Sequence, residues 1–390
     1  MATRVLQGHA RSHAPGEVAS FIRHLDYLLF AAAAGLVAYG LWVLSAVTRN
    51  DVAGDPDYYV VRQGINVGLG VVALVALMAV NPEVYRRFTR PLYGLLIALL
   101  AIVFVADAVR GSQRWIDIGF FRFQPSELGK LILIVCIAGF LADRSRRLDE
   151  WRTVLSAVGL GALAAFLVFI EPDFGTALMY VGALATALFI AGVPWSRLAA
   201  LGLTAGSAAI TLLWVLPAAG IDVLKPYQVQ RLTGFLNPDL DPAGTTYNAT
   251  QSITAVGSGG LNGRGVAGAT QTNLNYLPEH ATDFIFSSLA EQRGFLGASI
   301  LLLLYALIVW RGIKIIAVAP SLFTAVVAAS IVLVLVVQIF VNVGMTIGIA
   351  PVTGIPLPFV SYGGSSMLAC LMMVGLLQGI HVRGRLAGRS

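Results

Sequence analysis

The chain has 390 residues, of which 57% are hydrophobic and only 12% are charged. A water-soluble protein of this length cannot bury so large an apolar share in its core, so a soluble fold is excluded and lipid must be the main solvent. The net charge of +6 does not indicate nucleic-acid binding, because most Lys and Arg residues fall in short segments between apolar runs.

Ten apolar runs are long enough to cross about 30 Å of hydrocarbon as helices rising about 1.5 Å per residue. They span residues 27–47, 61–80, 91–109, 125–142, 153–170, 174–192, 198–218, 284–311, 320–348 and 363–381. We therefore predict an all-α polytopic membrane protein with about ten transmembrane helices. The first run is too long for the apolar part of a signal peptide, so we expect it to stay in the protein.

The placement of Lys and Arg predicts the orientation of the chain. If the ten spans alternate in direction, sixteen Lys and Arg residues lie in the tails and loops on the same side of the membrane as the N-terminus, and five lie in the short loops on the opposite side. Because short cytoplasmic loops carry an excess of Lys and Arg, both termini are predicted to be cytoplasmic. The predicted organisation is a cytoplasmic tail (1–26), a membrane domain (27–381) and a second cytoplasmic tail (382–390), with basic inner loops that meet anionic lipid heads.

Residues 219–283, between helices 7 and 8, form a large extracytoplasmic loop in this topology. Loops of that length are uncommon unless they bind something. Residues 247–256 predict a short interfacial helix, and the glycine-rich stretch 257–268 would let the backbone approach a ligand closely. A second outer loop, 349–363, contains three prolines and is predicted to be a stiff, partly non-helical wall of an external cavity.

Asp283, at the end of the long outer loop, is the first candidate for catalysis. A carboxylate at the mouth of a cavity can accept a proton from a sugar hydroxyl. The alternative is that Asp283 or Thr282 simply caps the eighth helix, where both residue types are favoured.

Glu127 and Lys130 lie three residues apart just inside the fourth span and can pair on one helix face. Charges at that depth must face protein, a partner or a cavity. A structural ion pair and a cavity-lining role remain equally open.

Three further acidic residues have local explanations. Glu171 and Asp173 occupy a short outer hairpin, where Asp173 suits a helix cap. Glu291 and its neighbours Gln292 and Arg293 lie about two turns into the eighth span. Three roles stay open for them: reaching to the membrane surface, pairing with one another, or extending the cavity.

Arg114 with Trp115, and Lys225, Arg231 and Arg264, are the outward-facing candidates for binding a diphosphate, provided that they converge. Taken singly, each cation is better explained as a lipid-head anchor. Cys136 and Cys370 lie in apolar spans and are predicted to be packing residues. No dedicated metal site is legible, so no cofactor is predicted with certainty, although a divalent cation remains open.

Five motifs stand in order along the chain. They are RWIDIGFFRFQPSELGK (114–130), EPDFGTAL (171–178), RLTGFLNPDLDPAGTTYNATQSITAVGSGGLNGRG (231–265), LPEHATDFIFSSLAEQRGFLG (277–297) and MTIGIAPVTGIPLPFVSYGGSS (345–366). With them the chain, from about residue 20 to 382, resembles the SEDS family (shape, elongation, division and sporulation), and most of all its rod-shape-determining branch.

The resemblance implies a peptidoglycan glycosyltransferase that joins lipid II units into glycan strands at the outer face of the cytoplasmic membrane, with a class B penicillin-binding protein as its partner. The family's essential Asp falls on Asp283. The family's Arg-Trp pair falls on Arg114 and Trp115, and its Glu and Lys on Glu127 and Lys130.

One departure from the family pattern is visible before the essential Asp. Ala281 separates His280 from Thr282, where members usually read His-Thr-Asp. This departure puts a direct role for His280 in doubt.

The implied reaction is an inverting displacement with Asp283 as the general base, in which the diphosphate leaving group needs no general acid. Two rival functions remain: a flippase that moves lipid II across the bilayer, and a non-catalytic scaffold for the penicillin-binding protein.

Overall fold

The computed structural model of the chain describes residues 20–105, 114–117, 119, 122–220, 235 and 246–388. These residues are mostly helical. The helices are α1 (Tyr27–Val47), α2 (Tyr58–Ala79), α3 (Pro82–Arg87), α4 (Thr89–Ile102), α5 (Pro125–Asp143), α6 (Trp151–Ile170), α7 (Phe174–Ala191), α8 (Trp195–Ala218), α9 (Tyr247–Gly259), α10 (Gly265–Gly268), α11 (Thr270–Asn273), α12 (Ile285–Ala317), α13 (Leu322–Thr346) and α14 (Gly364–Ala387). Two short antiparallel strands, β1 (Ile116–Asp117) and β2 (Arg122–Phe123), pair before α5.

Within the described residues, nine helices are long and apolar enough to cross a membrane: α1, α2, α5, α6, α7, α8, α12, α13 and α14. A shorter apolar helix, Thr89–Val105, comprises α4 and its last turn. The predicted all-α polytopic fold with about ten transmembrane helices is therefore confirmed. The last helix continues to Ala387, beyond the predicted end of the final span at 381. Hydropathy marked only the apolar part of this helix, and its polar last turns are helical as well. The end of the predicted run 91–109 lies outside the described residues.

The interior of the bundle is formed by α5, α13 and α14, most of whose residues are buried. Small residues let α14 lie close to α2: a methyl group on Gly375 would be 2.5 Å from the Leu74 carbonyl oxygen. By contrast, α8 has no buried residue, and α2 is mostly exposed. Such apolar, exposed helices are stable only with lipid around them.

Polar contacts at one end of the bundle join α1, α12 and α14. Asp26 caps α1 by accepting from the Leu29 amide, and its carboxylate lies 2.6 Å from the Arg311 guanidinium. The Gln378 side chain exchanges two hydrogen bonds with the Asp26 backbone. At the opposite end lie the connections that carry the acidic motifs. The cytoplasmic location of the Asp26 end stays a prediction.

Candidate active site

Asp283 belongs to a tight turn, residues 277–284, whose backbone is held from one side by α13 and by the loop 347–363. Three successive carbonyls of this turn accept hydrogen bonds. Tyr362 N donates to Ala281 O at 2.9 Å, Ser361 Oγ to Thr282 O at 2.6 Å, and Asn342 Nδ2 to Asp283 O at 2.9 Å. The position of Asp283 is therefore fixed by its backbone before any substrate contact.

The Asp283 side chain is only partly buried, and Oδ2 points towards Gly354. A methyl group built on Gly354 would lie 3.4 Å from that oxygen, and Gly354 has φ +74°. Glycine tolerates this conformation, and Gly354 places no side chain of its own against the carboxylate.

The capping alternative for this turn is wrong. The N-cap of α12 is Phe284, which makes no side-chain cap bond, so Asp283 precedes the cap position. The Thr282 hydroxyl donates to Glu279 instead, 3.0 Å from its carboxylate.

The loop 347–363 is non-helical, as predicted for residues 349–363, and the structure shows it anchored on both sides. Gln63 donates to Ser361 O at 3.1 Å and accepts from Gly363 N at 3.2 Å. Asn342 also donates to Ile355 O at 2.8 Å, so a single amide binds this loop and the Asp283 turn. The loop therefore forms a fixed wall beside Asp283.

The same loop reaches the hairpin between α6 and α7, because a methyl group on Gly175 would lie 2.5 Å from Ile355. In this hairpin Asp173 caps α7, accepting from the Thr176 amide at 3.1 Å, and also accepts from Gln124 Nε2 at 3.0 Å. The predicted capping role of Asp173 is confirmed.

Glu171 in the same hairpin is 1% exposed, and among the described residues neither of its carboxylate oxygens has a hydrogen-bond partner. Burial, followed by the nearby Asp173 carboxylate, raises the pKa of Glu171 to about 8, although Arg114 opposes the change. The Arg114 guanidinium itself donates to the backbone carbonyls of Glu171 and Pro172. Arg114 therefore holds the hairpin.

The glycine-rich stretch packs against the backbone of α12. Arg264 N donates to Glu291 O at 2.9 Å, and Phe295 N donates to Gly260 O at 2.8 Å. A methyl group on Gly263 would collide with the Gln292 carbonyl oxygen. The close backbone approach that the sequence predicted is thus made to a helix of the protein itself.

Glu291, fully buried, belongs to the same contact. Its carboxylate accepts from the amides of Gln271 at 2.8 Å and Thr272 at 3.0 Å, and from the Thr272 hydroxyl at 2.7 Å. The residue fastens α11 to α12. The neighbouring Arg293 lies over the Trp42 ring, 3.9 Å from its centroid.

Glu127 and Lys130 form the predicted pair, with Lys130 Nζ 2.9 Å from each carboxylate oxygen. Their side chains are 3% and 2% exposed. Both charges are satisfied by each other, which favours the structural ion pair over the cavity-lining role.

The candidate cations do not all converge on Asp283. Lys225 and Arg231 lie outside the described residues. Arg264 is exposed and donates to Ser258 O at 3.0 Å. Its backbone is bound to Glu291, eight residues along from Asp283, which corresponds to roughly 12 Å of helix. Trp115 is partly buried beside Arg114 at the hairpin.

One long-range contact of the turn was missed by sequence reasoning, which had set His280 aside. His280 bonds to Asp51 in the connection between α1 and α2, 229 positions away. No local pattern announces a pair so distant in sequence.

A family model for cell cycle proteins (FtsW, RodA and SpoVE) matches residues 24–386. Stage V sporulation protein E of Bacillus subtilis is 36% identical over 359 residues, covering 90% of this chain and 95% of the relative. The peptidoglycan glycosyltransferase MrdB of Escherichia coli is also 36% identical, over 368 residues, covering 94% of this chain and 96% of the relative.

Two solved structures have the same fold. One, described as showing the structural coordination of polymerization and crosslinking by a peptidoglycan synthase complex, contains a chain with TM-score 0.77 and 30% identity, covering 92% of this chain and 98% of that one. The rod shape determining protein RodA of Thermus thermophilus has TM-score 0.64 and 29% identity, covering 92% and 96%.

Proposed function

Since the chain belongs to the FtsW, RodA and SpoVE family of cell cycle proteins, we propose that it is a peptidoglycan glycosyltransferase that polymerises lipid II during cell elongation. The proposed site faces the outside of the cytoplasmic membrane. The observation that carries the proposal is the Asp283 carboxylate, which sits on a turn with three bonded carbonyls and faces a glycine. A rigid backbone that carries a partly exposed carboxylate is what a general base requires.

In the proposed reaction the 4-hydroxyl of the acceptor sugar attacks C1 of the donor, and the bond from C1 to the undecaprenyl diphosphate breaks with inversion. Asp283 accepts the hydroxyl proton, for which its carboxylate must come within about 2.6–3.2 Å of the hydroxyl oxygen. The diphosphate leaves as a stable anion, so a second carboxyl to protonate it is unnecessary, in contrast to glycoside hydrolysis.

Charge on the departing diphosphate needs cations. The Arg114 side chain is bound to the carbonyls of the hairpin, and Arg264 lies two turns from Asp283. We therefore assign this role to Lys225 and Arg231, which precede the turn in the same outer loop. A guanidinium gives two parallel bonds to a phosphate, whereas an ammonium acts as a point charge.

The rival flippase would need charges available to a lipid headgroup inside the bilayer. Glu127 and Lys130 are the charges that such a path would use, and they are paired with each other and buried. This arrangement favours the transferase. The proposed partner is a class B penicillin-binding protein, since a structural neighbour belongs to a complex that couples polymerization with crosslinking.

The test is polymer formation from lipid II in detergent by the purified chain with its penicillin-binding protein, whose transpeptidase site is inactivated. Asp283→Asn is compared with Glu150→Gln, an isosteric neutralisation of an exposed carboxylate that precedes α6, away from the Asp283 turn. We expect glycan strands on a gel from the wild type and from Glu150→Gln, and none from Asp283→Asn at equal folded protein.

Each other outcome has a definite meaning. Undiminished polymer from Asp283→Asn would refute the general base but leave the transferase. An inactive wild type that moves lipid II between vesicle leaflets would establish the flippase instead. If neither activity is found and only complex formation is retained, the scaffold remains.

A further inference from the structure

His280 lies three residues before Asp283 and is nearly buried, with 11% of its side chain exposed. Its Nε2 is 3.0 Å from Asp51 Oδ2 and 3.2 Å from Asp51 Oδ1. Its Nδ1 is 3.1 Å from the Leu277 carbonyl oxygen. Both ring nitrogens are therefore engaged at once.

The partners of His280 determine its protonation. A carbonyl oxygen only accepts a hydrogen bond, and an ionised carboxylate also only accepts. Both ring nitrogens must therefore donate, which a neutral imidazole, with its single N–H, cannot do. With Asp51 ionised, the two contacts together favour an imidazolium paired with the Asp51 carboxylate.

Asp51 lies in the connection between α1 and α2, so the contact binds the Asp283 turn to the first outer loop. The turn is held from its other side by Asn342, Ser361 and the Tyr362 amide. None of those three groups changes charge near neutral pH. Of these four contacts of the turn, the one with Asp51 is the one that depends on protonation.

We propose that the His280 imidazolium and the Asp51 carboxylate form a charge-dependent positioning pair that holds the Asp283 turn in its productive place. His280 acts through the backbone of the turn and touches no substrate. The proposal rests on the proposed function, because it assumes that the position of Asp283 limits the reaction.

The groups facing His280 set the direction of its pH dependence. Burial alone lowers the pKa of His280, but the hydrogen bond and charge of Asp51, the Leu277 carbonyl and the Glu279 carboxylate raise it, and the net pKa is above 6.5. Because the folded pKa is raised, the stabilisation is fully present below about 6.5, the unfolded value. It is lost as pH rises through the folded pKa. We therefore expect polymerisation to decline on the alkaline side as the pair separates.

The experiment measures kcat and KM for lipid II polymerisation from pH 6 to pH 9 in the complex with the penicillin-binding protein. His280→Gln and Asp51→Asn remove the charge pair, whereas His280→Arg keeps a positive charge throughout. We expect the first two variants to lower kcat on the order of tenfold at neutral pH, with little change in KM. His280→Arg is expected to restore activity and abolish the decline attributed to His280.

A double variant, Asp51→Asn with His280→Gln, should be no slower than either single variant, since the two residues act as one pair. The proposal is overturned if His280→Gln keeps the wild-type kcat and alkaline decline, or if the two substitutions multiply their effects.

A readout that does not depend on catalysis separates this proposal from the proposed function. In protein labelled with ¹³C-histidine, the His280 signal, assigned by its absence in His280→Gln, gives the titration midpoint directly. We expect Asp51→Asn to lower that midpoint even if Asp283 proves not to be the base. An unchanged midpoint would refute the pair, whatever the activity.

Discussion

Glu171→Gln tests whether a buried carboxyl in the hairpin is neutral. The folded protein holds the pKa of Glu171 at about 8, chiefly through burial and then through Asp173, against an ordinary value of 4.5. A tenfold change in ionisation corresponds to about 1.4 kcal/mol. Between pH 4.5 and 8 the wild type therefore loses up to about 5 kcal/mol of folding free energy, because the unfolded carboxyl ionises and the folded one does not. Glutamine cannot ionise and removes that loss.

The assay is thermal unfolding of the purified chain in detergent at several pH values between 4.5 and 8.5. The unpaired amide that the substitution introduces destabilises the variant by an amount that does not depend on pH. The diagnostic quantity is therefore how the melting temperature of Glu171→Gln minus that of the wild type changes with pH. We expect Glu171→Gln to gain on the wild type steadily up to about pH 8. The matched control is Glu150→Gln, an exposed carboxylate at the opposite end of the same helix, α6.

A melting-temperature difference that is the same at pH 5 and pH 8.5 would refute the reasoning. It would mean that Glu171 ionises in the folded protein near its ordinary value, with a partner that the hairpin geometry does not reveal. An equal pH-dependent gain in Glu150→Gln would trace the effect to detergent or to net charge.

Two further substitutions follow from contacts near the site. Gly354→Ala adds a methyl group 3.4 Å from Asp283 Oδ2 at a backbone with φ +74°, a conformation that costs a residue with a side chain about 1–2 kcal/mol. We expect folded Gly354→Ala protein to polymerise lipid II more slowly than the wild type on the same gels. The control is Gly257→Ala, whose methyl group meets nothing within 4 Å and should leave the rate unchanged. Glu127→Gln leaves the Lys130 charge buried without its partner and is expected to cost about 3–5 kcal/mol of folding free energy. The measurement is the yield of folded, monodisperse protein, which should fall. The double variant Glu127→Leu with Lys130→Met should recover that yield, and a Glu127→Gln variant as stable as the wild type would contradict the account.

The helices could be read from the sequence because lipid allows so few alternatives. Any long apolar run in a bilayer must satisfy its own backbone, so hydropathy alone predicted α1 at residues 27–47, where the structure places Tyr27–Val47. Local chemistry was also sufficient for Asp173, since capping depends on neighbours within one turn.

The partners of the remaining polar residues could not be read in this way. Glu291 satisfies α11, and Asn342 joins the loop 347–363 to the Asp283 turn. Such contacts depend on which elements the fold brings together, and hydropathy and spacing carry no information on that. The same holds for His280, whose partner was outside every motif. The resemblance identified Asp283 as essential, but only the structure supplies the bonds that fix it.

The bend in α12 indicates where the proposed reaction takes place relative to the bilayer. Gly294 has a non-helical backbone, with φ 65° and ψ −165°, and divides the helix in two. After the bend, no charged residue lies between Arg293 and Arg311, and that interval is roughly 25 Å long, close to the thickness of the hydrocarbon layer. We therefore expect Arg293 and the bend to lie at the outer lipid boundary, with the segment before the bend, which leads back to Asp283, on the aqueous side. A sugar bound there can react in the aqueous layer while its polyprenyl chain remains in the membrane, so the growing polymer need never enter the bilayer.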